Sequence, residues 1–217
     1  MEINASDVKE MLFKISEEMI DNEKYLCEVD SYIGDGDHGH TMARSFKAAR
    51  QSLQKTEEET IDSLFKIVAN SLISKGGGAS GPLFGTIFLN FATSVSSKEK
   101  LGLTEFANMF TAACKGVKER GKVSEGEKTM VDALSPAAQA FKIVKKEGGQ
   151  LIEATKKARQ AAKRGVEKTK ELEAKKGRAK FTKERAEGYQ DAGATSVYLI
   201  VKAIEEFLTE KEESDNA

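Results

Sequence analysis

The chain has 217 residues, enough for one large domain or two small ones with a real core. Its 34 basic and 35 acidic side chains cancel to a net charge of −1, which gives no bulk attraction to nucleic acid or to a membrane surface. Trp is absent and Pro occurs only twice, a composition suited to long helices and not to a sheet protein with many turns.

The N-terminus, "MEINASDVKEML", lacks the basic-then-apolar layout of a signal peptide. Val8, Met11, Leu12, Ile15 and Met19 make a first helical stripe, and Tyr25, Leu26, Val29, Tyr32 and Ile33 a second. After a polar stretch, Met42, Phe46, Ala49 and Leu53 continue the pattern. Ile61, Leu64, Phe65, Val68 and Leu72 follow behind Thr60, a candidate N-cap. "SGPLFGTIFLNFA" is apolar nearly all round, as expected of a helix buried on every side, with Ser80 as cap and Pro82 in the first turn. Its apolar run is too short and too rich in Gly and Thr to span a bilayer.

Phe106, Met109, Phe110, Ala113 and Val117 form the next stripe, then Met130, Leu134, Ala138 and Phe141, with Pro136 expected as a kink or in a first turn. A long helix is predicted from Gln150 to Ala174, and "TSVYLIVKAIEEFL" is the last. Cys27 and Cys114 lie inside these patterns without C-x-x-C or metal spacing, so they read as buried thiols of a reducing cytosol. About eight helices with no alternating strand, repeat or dividing linker predict a single all-α bundle over 1–210, with residues 211–217 a frayed acidic tail.

The densest polar stretch is "GDGDHGHTM", residues 34–42. A calcium EF-hand counted from Asp35 would need Gly at its sixth position and Glu at its twelfth; the chain has His40 and Phe46, so that motif fails. Gly34, Gly36 and Gly39 match G-x-G-x-x-G, as do Gly76, Gly78 and Gly81, but neither run follows a strand. A magnesium site fits better. Asp30, Asp35 and Asp37 can converge if the chain turns back through Gly34 and Gly36, and three such carboxylates repel unless a cation joins them. The alternative is an acidic turn that caps the next helix.

Backbone donors for a phosphate are available in "SKGGGASGPLFGT", a glycine run feeding a helix N-terminus. The same glycines would equally serve a close helix–helix corner. "GYQDAGATSVYL" is a second loop entering a helix, and Arg178 in the basic segment upstream has the fork geometry to grip phosphate.

Four segments, "DSYIGDGDHGHTM", "GGGASGPLFGT", "RGKVSEGEKTMVDALSPA" and "KKGRAKFTKERAEGYQDAGATS", stand in an order and at spacings that resemble the nucleotide-binding L subunits of dihydroxyacetone kinases. The resemblance covers essentially the whole chain. Gly36 and His40 fall at positions that vary in that family, and Ala192 stands where proline is frequent. It implies an antiparallel eight-helix barrel with ADP at one end, and two Mg2+ held by Asp30, Asp35 and Asp37. Nucleotide contacts carry over to His38, Gly39, His40, Thr41, Ala79, Ser80, Gly121, Met130, Arg178, Asp191, Ala192 and Gly193, with Arg178 also acting in the transfer.

The family's dihydroxyacetone-binding half is not in these residues. The resemblance therefore implies the phosphotransferase-linked bacterial form, in which a phosphocarrier M subunit phosphorylates bound ADP and the K subunit holds the acceptor. An ATP-dependent subunit for dihydroxyacetone or a related ketose is the open alternative. The family also implies a homodimer, a cytoplasmic location and a second role of L–ADP as partner of a transcription regulator. The related module of fatty-acid kinases reads D-G-D-T-G-T-N-M where this chain has "DGDHGHTM".

Overall fold

A computed structural model describes residues 1–57, 60–176 and 186–216. Nine α-helices occur among them: α1 (Ala5–Asp21), α2 (Glu23–Ser31), α3 (His38–Lys55), α4 (Ile61–Lys75), α5 (Ser80–Ser94), α6 (Leu103–Gly121), α7 (Val131–Lys146), α8 (Leu151–Thr169) and α9 (Ala192–Asp215). Each helix from α3 to α9 packs on the next, and α1 packs on both α9 and α3, so eight helices close into a barrel. The short α2 lies outside that ring against α3 and α9. Among the described residues the only β pairing is an isolated bridge between Ile3 and Leu101. No described helix is long and apolar enough to cross a membrane.

The barrel closes over phenylalanine. Phe110 stacks on Phe141 at 4.6 Å, Phe91 meets Phe110 at 5.2 Å, and Phe65 meets Phe91 edge-on at 5.6 Å. Each buried ring contributes roughly 1.5–3 kcal/mol by transfer alone, and the tilted and edge-on pairs add directional preference. Leu26, Val29 and Ile33 of the second stripe are buried, but Tyr25 and Tyr32 are 44% and 45% exposed. An apolar ring with a polar tip satisfies the same spacing from outside the core.

Several expected boundaries move. Ser80 is the first residue of α5 and not its cap; its hydroxyl bonds His38 instead of the helix backbone. The Thr60 hydroxyl caps no helix N–H and turns to Ser63. Pro136 sits inside α7, one turn after Asp132, whose carbonyl therefore lacks the usual helical donor. Gly165 of α8 packs against that carbonyl, where any Cβ would collide with it. The predicted helix from Gln150 ends at Thr169, short of Ala174. The last helix, α9, runs on to Asp215, with Lys211 paired to Asp7 of α1 at 3.0 Å. Cys114 is buried as expected, whereas Cys27 is only half-buried.

Because the ring alternates in direction, the N-termini of α3, α5, α7 and α9 meet at one end, with the C-termini of α4, α6 and α8 between them. Four positive dipole ends therefore face one place.

Candidate active site

At that end lies a cavity of about 300 Å³. Its acidic wall begins where α2 stops. The Gly34 N–H donates to the Asp30 carbonyl at 2.6 Å, and a side chain at Gly34 would strike the Asp30 carboxylate. Gly36 then takes φ +75°, a left-handed conformation that reverses the chain cheaply only in glycine. The turn brings one oxygen each of Asp30, Asp35 and Asp37 within 4.8 Å of one another.

Asp37 occupies the N-cap position of α3, yet its side chain makes no cap hydrogen bond. Asp30 Oδ2 accepts the His38 N–H at 3.3 Å. The three carboxylates make an all-oxygen donor set, which suits a hard divalent cation.

The glycine run divides between a helix corner and the cavity wall. Gly76 and Gly81 are pressed backbone to backbone where α4 meets α5, with no room for a Cβ on either. Gly77 and Gly78 are left to line the cavity with Ala79 and Ser80, Gly78 at φ +57° facing open space. Behind them His38 bridges Ser196 (Nε2 to Oγ, 2.8 Å) and Ser80 (Nδ1 to Oγ, 3.3 Å). Burial pushes its pKa down to about 4, although the Asp30 charge pulls the other way. The imidazole is therefore neutral at ordinary pH.

The opposite wall is apolar, made by Leu83, Val117, Val123 and Met130 with Gly121 and Gly193. A Cβ on Gly193 would lie 3.4 Å from the Met130 Cβ, and one on Gly121 3.2 Å from Val123 and 3.4 Å from Leu83, so both glycines sit close against the apolar wall.

Of the residues expected here, Asp30, Asp35, Asp37, His38, Thr41, Ala79, Ser80, Gly121, Met130, Asp191, Ala192 and Gly193 line the cavity. Gly39 and His40 do not. Gly39 is packed on α2, where a Cβ would meet the Glu23 carbonyl, and the His40 ring turns out to Glu23 at 2.7 Å. Arg178 lies outside the described residues.

Lys128 lines the cavity without having been expected there. It is 1% exposed at φ +59°, and its ammonium donates to the carbonyls of Thr169 and Tyr189 (2.7 Å to the latter). Burial lowers its pKa, opposed by Asp191 and Glu187. Asp132 was missed for a similar reason: its two oxygens accept the N–H groups of Gly126 (2.5 Å) and Thr129 (2.8 Å), folding the loop that carries Lys128. Both lie in a motif whose segment before α7 has no apolar period, and the weak hint was a lysine and an aspartate flanking Met130.

Lys128 anchors the approach to α9. Asp191 caps that helix by accepting the Ala194 N–H at 2.7 Å, and its own N–H donates to Thr169 Oγ1 at 2.9 Å. On the outside, Tyr189 stacks on Tyr32 at 4.4 Å and Gln190 donates to the Tyr25 hydroxyl at 3.0 Å, which ties the same segment to α2.

Asp191 is half-buried by exposure but closely hemmed by protein, and desolvation pushes its pKa up to about 7; Asp132 and Asp30 act in the same sense, against the Ala194 N–H and Lys128. The folded ligand-free chain holds this proton, while an unfolded carboxyl releases it near 3.8. The resulting stability is fully present below about pH 4 and is lost as pH rises through about 7, a few kcal/mol at most. Asp191→Asn keeps a capping oxygen without the titration. Its melting temperature relative to the parent should climb between pH 4 and pH 7 and level off above; a difference constant from pH 4 to 8 would refute the assignment.

The DAK2 domain family model matches residues 32–206. The ADP-binding subunit DhaL of phosphoenolpyruvate-dependent dihydroxyacetone kinase from Escherichia coli K12 is 32% identical over 94% of this chain and 97% of its own length. DhaL of kinase 1 from Listeria innocua serovar 6a is 37% identical, covering 87% of this chain and 89% of its own. A solved dihydroxyacetone kinase from C. freundii, in complex with AMP-PNP and Mg2+, superimposes with a TM-score of 0.71 at 25% identity over 92% of this chain. This chain spans 33% of that kinase's length. With four-fifths of its residues inside the domain match and full-length relatives above 30% identity, the chain belongs to the DAK2 domain family.

Proposed function

We propose that this chain is the ADP-binding L subunit of a phosphoenolpyruvate-dependent dihydroxyacetone kinase. It retains Mg-ADP, receives a phosphoryl group from a phosphocarrier M subunit and delivers it to dihydroxyacetone on a K subunit. The observation that carries the reading is the meeting, in one cavity, of a three-carboxylate cluster, an open glycine loop and four helix N-termini beside an apolar slot. Those parts match a diphosphate, its cations and a flat base. The names of the full-length relatives add the phosphoenolpyruvate link. Two free thiols agree with a cytoplasmic location.

Each residue then has a physical task. Asp30, Asp35 and Asp37 would hold the magnesium, which when bound neutralises phosphate charge. Backbone N–H groups of Gly77 to Ser80, which line the cavity, would donate to phosphate oxygens, and the dipoles of α3 and α5 would reinforce them. Met130 and Gly121 orient the base. His38, neutral and bonded on both nitrogens, is a scaffold and not a general base. Phosphoryl transfer needs little else, since it depends on positioning and charge stabilisation.

The test is reconstitution. With purified K and M subunits and the phosphotransferase proteins, the chain should support phosphorylation of dihydroxyacetone from phosphoenolpyruvate. Full-rate turnover with free ATP and K subunit alone would replace this reading with an ATP-dependent kinase subunit. In the same assay Arg178→Ala should slow transfer by about a hundredfold or more while weakening ADP binding far less, because a guanidinium gains most as charge spreads over the migrating group. Lys180→Ala is the control, and an unchanged rate for Arg178→Ala removes that arginine from the site.

A further inference from the structure

His38, Ser80 and Ser196 come from α3, α5 and α9, yet their polar atoms form one continuous chain from a fully buried serine to the cavity wall. Ser196 is 0% exposed. The buried helical serines Ser16, Ser45 and Ser71 each donate to the carbonyl one turn back. Ser196 does not; among the described residues its hydroxyl has His38 Nε2 as its sole partner, at 2.8 Å.

That difference decides where the ring proton sits. Both ring nitrogens face hydroxyls and neither faces a carboxylate, so the imidazole is neutral and carries a single N–H. With that N–H on Nε2, the Ser196 proton would be buried with no acceptor, the costly arrangement for a hydroxyl. With it on Nδ1, every group is satisfied: the Ser196 O–H donates to Nε2, and Nδ1–H donates to Ser80 Oγ. Ser80 then has its own proton left over, and it stands at the start of α5 on the cavity wall.

We infer that Ser196 is a positioning residue which, through the Nδ1–H tautomer of His38, presets the Ser80 hydroxyl as a hydrogen-bond donor to a phosphate oxygen of the bound nucleotide. The opposite tautomer would let Ser80 donate back to His38 and turn oxygen lone pairs toward the anion. The preset removes a reorientation at the moment of binding and keeps the donor aimed where negative charge lies. The phosphate end of this chain rests on the nucleotide reading of the cavity; the tautomer does not.

The test starts on the unaltered protein, so it survives any variant that fails to fold. A long-range proton–nitrogen correlation spectrum of 15N-labelled protein reads the tautomer of each ring, and His40→Gln identifies the signals of the only other histidine. The Nδ1–H form is expected for His38, and an Nε2–H form overturns the inference. Ser196→Ala should move His38 toward Nε2–H and weaken Mg-ADP binding in calorimetry by about fivefold, the scale of one net hydrogen bond. In a Ser80→Ala background the same substitution should change affinity no further. An equal loss in both backgrounds overturns the inference, because a purely structural Ser196 would act regardless of Ser80. Failure of Mg-ADP to bind the unaltered chain overturns the nucleotide reading and with it the phosphate end, while the ring spectrum still decides the tautomer.

Discussion

Asp35→Asn is expected to abolish retention of Mg-ADP and to leave the helical fold intact. Asp35 is exposed and lies in the connection between α2 and α3, outside every helix and outside the core. Asparagine preserves size and one oxygen, and isolates charge as the altered variable. In the cation-bound state a neutral oxygen replaces an anionic ligand in a cluster of three, and bound nucleotide should fall from stoichiometric to undetectable in the purified protein. In the cation-free state the sign reverses. With three carboxylates inside 4.8 Å, removing one relieves repulsion, so the stripped variant should melt no lower than the stripped parent. Mass spectrometry of the purified variant checks the first half and a melting curve in chelator checks the second. Stoichiometric ADP and Mg2+ on the variant would defeat the metal assignment.

Stripping the parent protein should cost it much of its thermal stability. A ligand that binds only the folded state stabilises by mass action, by about 4 kcal/mol at a thousandfold excess over its dissociation constant. For a chain of this size each kcal/mol moves the midpoint by roughly 2–4 °C, so removing metal and nucleotide should lower it by about 8–16 °C. The loss should concentrate in the connections that build the cavity, because the phenylalanine core makes no use of the ligand. Mg-ADP added back should restore the curve. An unchanged midpoint across the cycle, with removal of ADP confirmed, would contradict the cavity as the binding site.

The sequence already carried the all-helical class and most of the wall residues, for physical reasons that differ. Stripes such as Phe106, Met109, Phe110, Ala113 and Val117 repeat at a helical period because they face one core, and all are buried. The aspartates were legible because three like charges separated by glycines have few structural uses. Closure into a barrel was not legible from periodicity, since a stripe says which face is buried and not which helix buries it; only the family resemblance supplied it. Gly39 and His40 shared a motif with true wall residues, but the helical turn beginning at His38 points them toward α2. Lys128 was invisible for the opposite reason. Its partners are carbonyls of Thr169 and Tyr189, and backbone acceptors leave no trace in side-chain pattern.

The glycine corner has a consequence for how far this site can vary. Gly76 and Gly81 meet backbone to backbone and fasten the end of α4 to the start of α5, so the four residues between them form an arch on fixed footings. Any side chain at either footing would wedge the two helices apart and carry the damage into the barrel. The crown is different: Gly78 borders open space, although its φ of +57° still favours glycine, and a change at 77 or 79 alters what the arch touches without moving what it stands on. Affinity and selectivity for the bound group can therefore drift, by natural variation or by design, through the crown alone. The two halves of "GGGASG" are under separate constraints, one architectural and one chemical, although in sequence they read as a single run.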